Sequence, residues 1–132
     1  MRKKIMVPLG PRIRDLKSVH YALAAAERLD GEVILLRLED GFERRYPWLE
    51  EALTDLIASA RLAGLSLTLV EADASPVREI VELAFGERVD LLVFSEDQKQ
   101  LERRVMARAP ELGHKMIQVQ GKEHENIDWG GG

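Results

Sequence analysis

Residues Asp90–Arg104, "DLLVFSEDQKQLERR", change their period halfway along. Leu91–Phe94 is an unbroken apolar run, the pattern of a strand covered on both faces. Beyond it the apolar residues thin to Leu101, Val105, Ala109 and Leu112, which share one stripe of a helix. A doubly covered strand running into an amphipathic helix is a βα unit, and repeated βα units build a parallel sheet between two helical layers. At this junction such sheets often cradle phosphate with glycines, whose bare backbone lets N–H groups close on the oxygens. No glycine lies between Asp90 and Leu112.

The same unit recurs along the chain. "KIMVPL" (Lys4–Leu9) reads as a buried strand stopped by Pro8–Gly10. Asp15 is the expected N-cap of a helix with Leu16, Val19, Leu23 and Ala26 inward, closed at Asp30–Gly31 with Gly31 left-handed. "VILLRL" (Val33–Leu38) is a second doubly covered strand, and the polar stretch Glu39–Tyr46 follows it. A helix from Pro47 carries Leu49, Leu53, Leu56, Ile57 and Ala60 and closes at Gly64. "LSLTLV" (Leu65–Val70) alternates, Ser75–Pro76 opens a helix striped by Val77, Ile80, Val81 and Ala84, and "KMIQVQ" (Lys115–Gln120) alternates again.

Five strands and four helices in strict alternation predict an open five-stranded parallel sheet with helices on both faces. The first, second and fourth strands are apolar throughout, whereas the third and fifth alternate, as half-covered edge strands do. That difference predicts the order 3-2-1-4-5. Residues 1–120 form the expected domain, and 121–132, with Ile127, Trp129 and three final glycines, a mobile tail.

Bulk properties narrow the function. A chain of 132 residues is one domain's worth, and 45% hydrophobic with 32% charged residues is the balance of a globular protein. A net charge of −4 leaves no footprint for nucleic acid. The absence of cysteine excludes disulfides and thiolate chemistry and fits a cytoplasmic location. "MRKKIMVPLGPR" breaks its apolar run at Pro8 and Arg12, too early for a signal peptide or membrane span.

"KIMVPLG", "SVHYALAAAERLDGEVILLRL" and "VREIVELAFGERVDLLVFS", in this order and spacing, resemble a universal stress protein domain from Lys4 to Val119. The resemblance implies an adenine nucleotide alpha hydrolase-like α/β fold, frequent homodimerisation, and membership of either an ATP-binding or a non-binding group. In the binding group an Asp follows the first-strand Val-Pro, and a Gly-x-x-Gly with a later Gly-Ser or Gly-Thr wraps the ribose and phosphates. Here the Asp position is Leu9. The first glycine position is Ser95, followed by Glu96, Asp97, Gln98 and Lys99, and "RRVMARAP" has no Gly-Ser or Gly-Thr. By position, Pro8, Leu9, Gly10, Leu38 and Ser95 match the family's nucleotide site.

Bulk and negative charge thus replace the glycines. Two or three like charges facing a polyphosphate cost on the order of several kcal/mol at short range. The expectation is a non-enzymatic domain without ATP or another cofactor, acting by dimerisation, through the edge strand Met116–Val119, and by partner contacts. The alternative is a small-ligand or nucleotide sensor using the first strand–helix loop, with Arg12 and Arg14, beside Lys17, taking an anion.

Other constellations carry less. Glu39, Asp40, Glu71, Asp73, Glu96 and Asp97 rim the carboxyl ends of the strands. They read as solvated acids complementing helix dipoles, and a divalent cation is the alternative. Asp73, Ser95 and Lys122 can be cast as a receiver-type phosphoacceptor site, but Leu9 and Gly10 stand where its metal-binding acids belong. A Ser95–His114 pair lacks nucleophile-elbow glycines. His20 and His124 show no ligand spacing, and Trp48 reads as packing or capping. Arg103, Arg104 and Arg108 form a basic helical patch, read as a solvated face with a partner surface as runner-up.

Overall fold

A computed structural model describes residues 2–10, 13–38, 47–72 and 75–120. The strands are β1 (Lys4–Leu9), β2 (Glu32–Leu38), β3 (Ser66–Ala72), β4 (Leu91–Ser95) and β5 (Met116–Val119). Four α-helices are described: α1 (Lys17–Leu29), α2 (Pro47–Leu62), α3 (Pro76–Gly86) and α4 (Lys99–Arg108). Short 3₁₀ turns at Glu96–Gln98 and Pro110–Lys115 flank α4. Every strand pair is parallel and the order is β3-β2-β1-β4-β5, as the apolar and alternating patterns predict.

The sheet has two dry faces because successive side chains point to opposite sides. Val7, Leu9, Leu35 and Val93 pack with α1 and α2. Met6, Leu36, Leu92 and Phe94 pack on the other face with α3 and α4. The alternating strands are the edges: Thr68 of β3 is exposed, and all four residues of β5 are half-buried.

Several element ends differ from expectation. Leu16, not Asp15, occupies the N-cap of α1. Asp15 still serves that end, its Oδ1 accepting from the Lys17 N–H at 3.0 Å. At the other end Asp30 takes the left-handed conformation (φ 51°) expected of Gly31. Gly31 is required for a different reason: a Cβ there would stand 2.8 Å from the Lys3 carbonyl oxygen, which accepts the Glu32 N–H that starts the β1–β2 ladder. Gly64 does close α2, at φ 86°.

Asp90 falls just outside β4. Its N–H donates to Lys4 O at 2.8 Å and its Oδ2 accepts from Lys4 N at 2.9 Å, so one residue clamps the amino ends of β1 and β4. Lys115 likewise leaves β5 for the preceding turn and donates through Nζ to Val89 O at 3.1 Å. The expected tail, 121–132, lies outside the described residues. No helix among the described residues is long and apolar enough to cross a membrane.

Candidate functional site

In an open parallel sheet the ligand crevice lies beyond the carboxyl ends of the strands, where the chain switches direction across the sheet. Here β1 is the switch: β2 and β3 follow on one side, β4 and β5 on the other. The β1–β2 ladder runs from Lys4–Glu32 to Leu9–Arg37. The β1–β4 ladder holds only Ile5–Leu91 and Met6–Leu92. Beyond Met6 the two strands part, and Pro8 brings no N–H to hold them together.

Gln98 fills the gap. Ser95 ends β4 in extended conformation, and the 3₁₀ turn Glu96–Gln98 brings the Gln98 side chain back over the strand end. The carboxamide Nε2 donates to Pro8 O at 3.1 Å and to Gly10 O at 2.9 Å, while Oε1 accepts from the Ser95 N–H at 3.0 Å. The residue is 2% exposed. Both amide hydrogens are used, and three backbone groups from two diverging strands are satisfied at once. Gly10 makes its turn at φ 95°, a conformation that favours glycine.

Ser95 and Gln98 form a capping box of Ser-x-x-Gln spacing. Only the Gln98 half closes firmly. The Ser95 hydroxyl faces the Gln98 backbone N–H without reaching hydrogen-bond geometry, leaving Oγ buried and unpartnered. Ser18 Oγ, on the first turn of α1, is buried and unpartnered as well. Alternation from Val93 places Ser95 on the α1 side of the sheet, the side on which Ser18 is buried.

The positional matches to a nucleotide site divide. Pro8, Gly10 and Ser95 meet around the Gln98 amide. Leu9 and Leu38 are buried in opposite cores, Leu9 against α1 and α2, Leu38 against α3 and α4. Arg14 is exposed; Arg12 lies outside the described residues. Sequence reasoning placed bulk at Gln98 without its bridging role, although the Ser-x-x-Gln spacing was a local signal.

It also passed over Arg37, which reads as part of an apolar strand. Arg37 Nη1 meets Glu50 Oε1 at 2.7 Å, joining the end of β2 to the first turn of α2. This half-buried ion pair sits one strand from Leu9 in register.

Of the acidic rim, Glu71 is exposed and Glu96 and Asp97 half-buried; Glu39, Asp40 and Asp73 lie outside the described residues. Among the described residues no three His, Asp or Glu side chains come within reach of one metal ion. The receiver-type reading meets a topological obstacle. Receivers use the order 2-1-3-4-5, whereas here β3, which leads to Asp73, is an edge strand two places from β1. Lys122 lies outside the described residues. The Ser95–His114 pairing is corrected by register: Ser95 pairs with Val119, so His114, in the turn before β5, sits beyond the opposite end of that strand, whose length alone is roughly 10 Å. His20 and Trp48 are exposed, so Trp48 is no core residue.

A separate cavity of about 110 Å³ lies between β2, β3 and the end of α3, lined by Ile34, Val70 and Leu83 with Glu32 and Glu87. Lys4 Nζ already answers both carboxylates, at 3.7 and 3.2 Å. It lies in the amino half of the sheet, away from the crevice.

No family model and no curated protein sequence matches the chain. Solved structures do. A universal stress protein in complex with cAMP is 20% identical, with a TM-score of 0.60 over 91% of this chain and 96% of that one. A protein of the universal stress protein family from Burkholderia pseudomallei is 14% identical, with a TM-score of 0.61 over 90% and 95% of the two chains. The universal stress protein from Archaeoglobus fulgidus in complex with dAMP is 14% identical, with a TM-score of 0.59 over 89% and 96%. Strand order, helix placement and near-complete mutual coverage together give this chain the universal stress protein fold.

Proposed function

We propose that this chain is a universal stress protein-like domain whose adenine-nucleotide crevice is closed by its own Gln98. It acts by dimerisation and partner binding in a cytoplasmic stress response and not as an enzyme. The observation that carries this reading is the carboxamide bonded to Pro8 O, Gly10 O and the Ser95 N–H. A nucleotide entering between β1 and β4 must displace that amide, and each buried backbone group left without a partner costs about 1–3 kcal/mol. Glu96 and Asp97 follow at the mouth, where carboxylates oppose phosphate. β5 supports dimerisation, being a sheet edge with Met116, Ile117 and Val119 half-buried.

The test is a fluorescent ATP titration together with the mass of the purified protein under native and denaturing conditions. The expected result is a dimer that retains no adenine nucleotide and shows no saturable binding. Micromolar ATP affinity overturns the closed-crevice reading.

A second reading is favoured by two of the structural neighbours, which are complexes with cAMP and dAMP. In it, a small nucleotide or other anion reaches the β1–α1 loop beside Pro8, Gly10 and Ser95, with Arg12 and Arg14 on its charge; Leu9 and Leu38, buried in opposite cores, take no part. The buried, unpartnered Ser95 and Ser18 hydroxyls support it. A melting-temperature screen against cAMP, dAMP and phosphate separates the readings: a shift abolished by Arg12→Ala favours the sensor, and no shift from any anion retires it.

A further inference from the structure

Helix α4 carries Lys99, Arg103, Arg104 and Arg108, all exposed. At about 100° per residue they form two stripes within one half of the helix surface, Lys99 with Arg103 and Arg104 with Arg108, the second stripe bordering the buried Leu101. Lys99 with Arg103, and Arg104 with Arg108, are like charges four residues apart, a spacing that destabilises an isolated helix. The acid on this helix, Glu102, is turned toward β5, where Oε1 accepts from Gln118 Nε2 at 3.0 Å. None of the four cations has an ion pair or side-chain hydrogen bond to the described residues. Helix α3 shows the usual arrangement at the same spacing, with Arg78 Nε paired to Glu82 Oε2 at 2.9 Å.

We infer that this face of α4 is a docking surface for an acidic segment of a partner protein. The inference rests on the reading that the domain acts through partner contacts, and it names the chemistry of the partner. Four cations without ion pairs stand together on a chain of net charge −4, with Glu96 and Asp97 before the helix and Glu111 after it. Charge is felt over roughly 8–10 Å in physiological salt. A short acidic segment can lie along the cations between the acids at the two ends of the helix, whereas a long polyanion or an anionic membrane also meets those acids and the negative remainder. From Lys99 to Arg108 the patch is about 14 Å long, the span of four or five extended residues. Three of the four cations are arginines, whose planar forks take carboxylates two bonds at a time. Met106, 43% exposed on the same helix, offers an adaptable apolar contact beside them.

The experiment uses the full chain and fluorescein-labelled octaglutamate, followed by anisotropy in about 50 mM salt. Saturable binding is expected, weakened about tenfold or more by Arg103→Glu/Arg104→Glu and by raising the salt to about 300 mM. Lys3→Glu/Arg28→Glu makes the same change in net charge at two other exposed sites and should leave binding unchanged. Circular dichroism establishes that the variants fold; should the reversed pair not fold, Arg103→Gln/Arg104→Gln takes its place with the same expected loss. No binding of octaglutamate, or equal loss in both charge-matched variants, overturns the inference. So does tighter binding of a single-stranded DNA dodecamer or of phosphatidylserine vesicles than of octaglutamate. Nucleotide titration reads the crevice and peptide titration reads α4, so either can fail alone.

Discussion

Gln98→Ala removes one carboxamide and leaves three backbone groups where they are. The Ser95 N–H suffers most, since a donor has a single hydrogen and its only side-chain partner is gone. A buried donor left this way costs about 1–3 kcal/mol. The carbonyls of Pro8 and Gly10 lose one acceptor bond each, and a carbonyl with a second lone pair tolerates this better, at about 0.5–1 kcal/mol. Water entering the vacated crevice recovers part of the loss, so about 2–4 kcal/mol is expected, or roughly 10 °C in melting temperature for a chain of this size. Gln98→Glu should be at least as damaging at neutral pH, because a carboxylate cannot donate to either carbonyl. Gln100→Ala, two residues on and exposed, should stay within about 0.5 kcal/mol of the parent. Urea denaturation of the three variants measures these differences. If Gln98→Ala matches Gln100→Ala, the carboxamide does not hold β1 to β4 and the account of the closed crevice is wrong.

Gly31→Ala should cost about 1–3 kcal/mol, since its methyl meets the Lys3 carbonyl at 2.8 Å; Gly86→Ala, with nothing within 4 Å, should be neutral or slightly stabilising, and thermal melts of both compare the two directly. Arg37→Ala strands the half-buried Glu50 carboxylate and should lower stability by about 1–2 kcal/mol, less so in high salt; a loss insensitive to salt points to packing instead. Ile117→Lys places a charge on the edge strand, at a side chain packed against the α1–α2 core, and should shift the native mass from the proposed dimer to monomer, with circular dichroism separating loss of the dimer from loss of the fold. An unchanged dimer moves the interface away from β5.

The fold was legible because burial writes itself into local pattern. Val33–Leu36 and Leu91–Phe94 are apolar at every position because helices cover both sides, and "LSLTLV" alternates because β3 is an edge. Such patterns need no knowledge of distant residues. The crevice was legible only as a loss of glycines. That Gln98 reaches Pro8 and Gly10 is a contact across 90 and 88 positions, invisible to any local window, and a glutamine at a helix start ordinarily reads as solvated. Arg37 was hidden for the opposite reason, as one polar residue inside an apolar run. The exchange of roles between Asp30 and Gly31 turned on where the Lys3 carbonyl sits, again a matter of tertiary neighbours.

The centre of the sheet is its earliest strand. β1 can take β2 and then β3 on one flank soon after they are made, but β4, its other neighbour, begins only at Leu91. During synthesis the first three strands therefore present β1 as a bare apolar margin, the feature that recruits foreign strands and seeds aggregates. A fragment cut before residue 91 should be insoluble although it contains most of one core, and the growing polypeptide has reason to be sheltered until its second half arrives.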